Sequence, residues 1–247
     1  MVVYPAIDLK GGKVVRLSQG DAARTTVYAD DPVAQTNAFL EAGARWLHVV
    51  DLDRAFGTGD NVPAVAAIAR RVEGRARVQC GGGLRSLEAI AAAFEAGVSR
   101  VVMGTAAMTD PALVSRAVAA HGAERVAVGL DARNGLVAIR GWDEQSGVRA
   151  LDAARGAIDA GITTIVYTDI ARDGMLTGPD LDGCRALMRL GAHVIASGGF
   201  ASAEDVEAAA GSGCVGAILG RAIYEGRVHL PQIIAAYDVR TSGRELT

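Results

Sequence analysis

Short β-branched runs alternate with alanine-rich amphipathic stretches eight times along the 247-residue chain, and that alternation leaves few folds open. A helix between two strands carries the chain back to the starting edge of the sheet, so repeated strand–helix units build parallel pairs. The runs fall at Val2–Asp8, Arg45–Asp51, Ala76–Cys80, Arg100–Met103, Arg125–Asp131, Thr163–Asp169, His193–Ser197 and Gly216–Leu219. They are continuously apolar rather than alternating, which requires cover on both faces. Eight such strands in about 250 residues predict an α/β fold, a single (β/α)8 TIM barrel over residues 1–240, with a flexible C-terminal tail over 241–247.

Helix boundaries agree with this reading. Asp31-Pro32 and Asp110-Pro111 place a capping acid before a proline at the first helical position, and Ser202 precedes Glu204 and Asp205 in a first turn. Glycines 43, 97, 161 and 213 stand where helices end, just before the next strand.

The chain also repeats itself once. Val2–Val15 returns as Arg125–Ile139, which sets Asp8 on Asp131 and Gly12 on Gly135. VQCGGGLRS (Val78–Ser86) returns as VIASGGFAS (Val194–Ser202), and VVMGTAA (Val101–Ala107) as AILGRAI (Ala217–Ile223). A two-fold half-barrel repeat of this kind predicts a site with approximate two-fold symmetry, suited to a ligand with two similar ends.

Active sites of these barrels lie at the C-terminal ends of the strands. Four strands finish in aspartate: Asp8, Asp51, Asp131 and Asp169. Asp8 and Asp131, matched between halves, are expected to face each other across the mouth; Asp51, beside Asp53 and Arg54, is expected to organise the site rather than react. The glycine turns Gly82-Gly83 with Gly104-Thr105, and Gly198-Gly199 with Gly220-Arg221, each follow a strand and open a helix. Convergent backbone N–H groups and the helix dipole make such turns anion cups, so two phosphates are expected, one on each side. Ser18–Pro32 and Arg140–Gly147 are longer than ordinary strand-to-helix connections and read as gripping loops. Arg16 and Arg140 in or beside them suit an anion or carboxamide, and Trp142 suits stacking on a flat heterocycle.

Other chemistries find no support. A net charge of −3 argues against a nucleic-acid partner. Cys80, Cys184 and Cys214 lack paired spacing and read as reduced core residues. His48, His121, His193 and His229 show no ligand spacing and read as strand or surface histidines. No metal, no nicotinamide and no other cofactor is expected. With neither a leader-like N-terminus nor a long apolar run, the expected protein is cytoplasmic and monomeric, without a membrane partner.

Over residues 2–238 the chain resembles the phosphoribosyl isomerases of histidine biosynthesis, the phosphoribosylformimino-5-aminoimidazole carboxamide ribotide isomerase family. The resemblance rests on PAIDLKGGKVVRLSQGD, HVVDLDRAFGTGDN, GGGLRS, MGTAA, VGLDARNG, RGW, TDIARDGMLTGPD, ASGGFAS and LGRAIYEG. It implies an aldose–ketose isomerase acting on a bis-phosphorylated ribotide by an Amadori rearrangement. Asp8 matches the family's base and Asp131 its usual acid, with Asp169 the alternative. The resemblance makes Thr168 a positioning residue, and its motifs add Gly20, Arg85 and Gly174 to the substrate-binding set. It leaves open a second substrate, phosphoribosyl-anthranilate, since the RGW loop occurs in one- and two-substrate members. The related imidazole-forming cyclase is the more distant alternative.

Overall fold

The computed structural model describes residues 1–18, 21–139, 142 and 144–238. Its elements run β1 (Val2–Lys10), β2 (Lys13–Ser18), β3 (Asp21–Ala29), α1 (Pro32–Glu41), β4 (Trp46–Asp51), α2 (Leu52–Phe56), α3 (Val62–Val72), β5 (Arg77–Gly81), α4 (Leu87–Glu95), β6 (Arg100–Met103), α5 (Thr105–Thr109) and α6 (Pro111–His121). The chain continues through β7 (Val126–Arg133), β8 (Leu136–Ile139), β9 (Glu144–Arg149), α7 (Ala150–Asp159), β10 (Thr164–Asp169), α8 (Leu181–Met188), β11 (His193–Ser197), α9 (Ala203–Gly211), β12 (Gly216–Leu219), α10 (Arg221–Tyr224) and α11 (Leu230–Tyr237).

Eight parallel strands, in the order β1-β4-β5-β6-β7-β10-β11-β12, pair in sequence, and β12 pairs back to β1. The barrel is closed, as the strand count predicts. The capping signals act as read: Asp31 accepts from the Val33 N–H, Asp110 from the Leu113 N–H, and Ser202 with Asp205 forms a capping box.

The two long connections are corrected by the structure. Part of the first is β3, which pairs antiparallel with β2, and part of the second is β9, which pairs with β8. The β-branched stretch Thr25-Thr26-Val27 suits such pairing, so these segments extend β1 and β7 as hairpins above the barrel mouth. Gly20 and Arg140 lie outside the described residues.

Side-chain parity decides which residues reach the site. Successive strand side chains point to opposite faces. Outward residues such as Ile7, Leu47, Val49, Val128, Leu130, Ile165 and Val194 pack under the helices in the main core. Inward residues Tyr4, Ala6, Val102, Ala127, Val166, Ile195 and Ile218, with Val2 and Trp46 against them, fill the barrel's interior. Each fully buried aliphatic side chain contributes roughly 1.5–3 kcal/mol; the interior plug therefore makes the floor of the mouth a rigid platform. No helix among the described residues is long and apolar enough to cross a membrane.

Candidate active site

A cavity opens above the interior plug at the C-terminal ends of the strands, walled by Asp8, Arg16, His48, Asp131, Thr168 and Asp173 and by the turns at Gly82-Gly83 and Gly104-Thr105. Asp8 follows Tyr4 and Ala6 on the inward face of β1, and Asp131 follows Ala127 and Gly129 on that of β7. The strands thus bring both matched aspartates to one cavity.

Asp8 is held by Arg16, whose Nη1 donates to Asp8 Oδ2 at 2.8 Å. Burial pushes the Asp8 carboxyl upward, and the guanidinium opposes that rise. Trp142 donates its indole N–H to Asp131 Oδ2 at 2.8 Å. Thr168, level with Asp131 across the β7–β10 pair, also hydrogen-bonds it. Burial raises Asp131 too, against both of these donors.

Asp169 is placed elsewhere. Because Thr168 points inward, the next residue points out: Asp169 does not line the cavity. Its carboxylate accepts from the Ala171 N–H at 2.9 Å and from Arg172 Nε at 3.1 Å. Its carbonyl accepts from the Arg172 and Asp173 N–H groups, closing a tight turn. That turn swings Asp173 back over the mouth, where its Oδ1 lies 3.8 Å from Arg16 Nη2. Asp173 is the buried acid that the sequence reading missed. Its carboxyl is raised from 3.8 to about 6 by burial, with Arg16 pulling it down and Asp8 and Asp131 repelling its charge. The acid-glycine pair in ARDG was the available signal, but nothing local says which of two acids in one turn faces inward.

Asp51 organises. It is fully buried and accepts from the N–H groups of Arg54 and Asn61 and from Asn61 Nδ2 at 2.8–3.1 Å. These bonds shape the segment after β4 that supports the Gly82-Gly83 turn, since a Cβ at Gly82 would collide with the Asp51 carbonyl.

The two glycine cups are not equivalent. Gly82, Gly83, Gly104 and Thr105 line the open cavity, and a Cβ at Gly104 would meet nothing within 4 Å. Arg85 also borders it while donating to the Ala55 carbonyl at 2.9 Å. Gly198, Gly199, Gly220 and Arg221 do not line it. The turn at residues 170–178 packs over Gly198 and Gly199, the Arg16 guanidinium lies on Gly220, and Arg221 donates to the Gly174 carbonyl. Arg16, Arg172 and Arg221 all lie at this side, each paired with a carboxylate: Asp8 and Asp173, Asp169, and Glu225. His48, read as a strand or surface histidine, lies on β4, and its side chain lines the cavity floor.

A profile described as histidine biosynthesis protein matches residues 2–229. A 1-(5-phosphoribosyl)-5-((5-phosphoribosylamino)methylideneamino) imidazole-4-carboxamide isomerase of Symbiobacterium thermophilum is 51% identical over 238 residues, covering 94% of this chain and 95% of the relative. Proteins of the same name from Rhodospirillum rubrum and Nitrobacter winogradskyi are 50% and 52% identical, covering 95% and 92% of this chain and 98% and 92% of theirs. With inward-facing paired aspartates at the mouth of a closed barrel and similarity across nearly its whole length, this chain belongs to the histidine biosynthesis protein family.

Proposed function

We propose that this chain isomerises the imidazole-carboxamide aminoaldose ribotide named in its relatives to the corresponding aminoketose. The observation that carries the reading is the set of three carboxylates, buried Asp8 and half-buried Asp131 and Asp173, gathered with Arg16 at a cavity bordered by a glycine cup. An Amadori rearrangement is redox-neutral and needs proton transfers alone: a donor to the ring oxygen, a base for the C2 proton, and protonation at C1 as the C2 hydroxyl gives up its proton to become the ketone. Asp8, held by Arg16, takes the C2 proton. Asp173, with a carboxyl near pH 6, supplies the proton that opens the ring. Asp131, fixed by Trp142 and Thr168, orients the substrate from the opposite wall.

One phosphate rests on the backbone N–H groups at Gly82-Gly83 and Gly104-Thr105. The other is taken at the Gly198-Gly199/Gly220-Arg221 side, where Arg16 and Arg221 supply positive charge once the covering turn yields. The chain acts as a monomer, which sedimentation would check. Turnover of the aminoimidazole ribotide by purified protein, followed by product absorbance, tests the reading, with phosphoribosyl-anthranilate run in parallel as the second substrate. Absence of turnover on the first would overturn it.

A further inference from the structure

His48 stands level with Ala6 of β1 and Gln79 of β5, on the inward face of β4. Its Nδ1 lies 3.0 Å from Gln79 Nε2. Gln79 is fully buried, and its Oε1 lies 3.3 Å from Arg100 Nη1, which also donates to the Tyr4 hydroxyl at 3.3 Å. Arg100 is anchored in turn, with Nε on the Glu124 carbonyl at 3.1 Å and its guanidinium 4.6 Å above the Trp46 ring.

The proton count along this chain has one solution. A guanidinium has donors and no acceptor, so Gln79 must turn its oxygen to Arg100 and its N–H to His48. The Gln79 N–H can be received only by an unprotonated Nδ1. A neutral imidazole then carries its proton on Nε2, the ring nitrogen away from Gln79, in a side chain that lines the cavity. Burial, with the nearby Arg16 charge, lowers the ring's pKa from 6.5 to about 3, so it stays uncharged at neutral pH.

We propose that Arg100 and Gln79 lock His48 as an Nε2–H donor that rises from the cavity floor to an oxygen of the reacting sugar. This rests on the isomerase reading above. A donor suits both sides of an aldose-to-ketose conversion, since a hydroxyl oxygen and a carbonyl oxygen both accept. The other tautomer would turn a lone pair on the product carbonyl and repel it, and an imidazolium would compete with Arg16 for Asp8. His48 thus holds the sugar without exchanging protons with it, and Gln79 and Arg100 are positioning residues acting through it.

The test begins with the nitrogen spectrum of the histidine-labelled full chain without ligand, which distinguishes the tautomers directly. The expected signature is protonated Nε2 and bare Nδ1, unchanged from about pH 5.5 to pH 9. A proton on Nδ1, or titration near 6.5, would overturn the proposal. Gln79→Glu keeps a partner for Arg100 but accepts from Nδ1–H, which removes the upward donor. It should flip the tautomer of the neutral ring and lower kcat by ~10²-fold, the scale of losing one preorganised donor, with KM changed less than threefold. His48→Gln, which can still present an N–H, should retain at least tenfold more kcat than the equally foldable His48→Leu. Equal activity of these two variants would sink the donor role even if Gln79→Glu proves unstable. Failure of the wild-type enzyme on the ribotide would count against the isomerase reading, whereas the tautomer measurement stands apart from turnover.

Discussion

Replacing Asp173 by Asn should make the protein more stable at pH 8 while disabling it. The Asp173 carboxyl titrates at about 6 in the fold against an ordinary 3.8, because it is buried and faces Asp8 and Asp131. Between those values the native state holds the proton more tightly than the unfolded chain. The stability carried by the protonated form is therefore complete below 3.8 and lost as pH rises through about 6. At 1.36 kcal/mol per pH unit the displacement corresponds to roughly 3 kcal/mol of penalty at pH 8. Asn removes that penalty at nearly the same size. Arg16 keeps its 2.8 Å bond to Asp8, so losing its 3.8 Å contact with Asp173 offsets little of the gain. A net gain of roughly 2 kcal/mol converts, for a chain of this length, to a Tm rise of about 4–8 °C. Calorimetry at pH 8 and pH 4 should show the rise at the higher pH and almost none at the lower. Turnover should fall by ~10² or more with substrate affinity little changed. A variant whose Tm at pH 8 equals or lies below the wild type would refute the account of Asp173 as a strained, buried acid.

Four further outcomes follow. Asp8→Asn should abolish turnover while leaving ligand affinity within about tenfold, because the lost group is the base and not an anchor; residual activity of a few per cent would reassign it. Asp169→Asn, tested beside it, should cost kcat less than tenfold but lower Tm, since that carboxylate serves the turn through Ala171 and Arg172; a kcat loss equal to that of Asp173→Asn would show that Asp169 reaches the substrate. Trp142→Phe keeps the ring and deletes the N–H to Asp131, a bond to a charged acceptor worth roughly 1.5–3 kcal/mol, so kcat/KM should drop about 10- to 100-fold. Gly104→Ala should fold normally and raise KM by narrowing the cup, whereas Gly82→Ala, whose Cβ would strike the Asp51 carbonyl, should lower Tm sharply; the reverse order would show that Gly104 plays no part in anion binding.

Much of this architecture is legible in the residue order because its signals are local. Apolar runs at Val2–Asp8 and Gly216–Leu219, proline-led helix starts and glycine helix stops report backbone preferences that act within a few residues, and together they suffice for a closed eight-stranded barrel. Even the inward set has a trace in the sequence: Tyr4, Ala6 and Asp8 share one parity, as do Gly129 and Asp131, and the same rule applied to β10 would have turned Thr168 in and Asp169 out. Two hairpins passed for loops because β2–β3 and β8–β9 pair over an exposed arm, where polar residues blur the alternation.

What remained needed the fold. Asp173 enters the cavity only because the turn built on Asp169 packs over Gly198, a contact between segments almost thirty positions apart in the chain. One anion cup is open and its partner is covered for a similar reason: their motifs match, but the Arg16 side chain from a different strand fills the space above Gly220. His48 carries no local mark of a ligand-facing group; its tautomer is dictated by Gln79 and Arg100 from the two neighbouring strand positions around the barrel. Sequence alone determined where strands and helices form, which follows from short-range sterics and periodicity. Tertiary structure decided which polar groups meet, how far burial and neighbouring charge shift them, and therefore which of the aspartates can hold a proton near neutral pH.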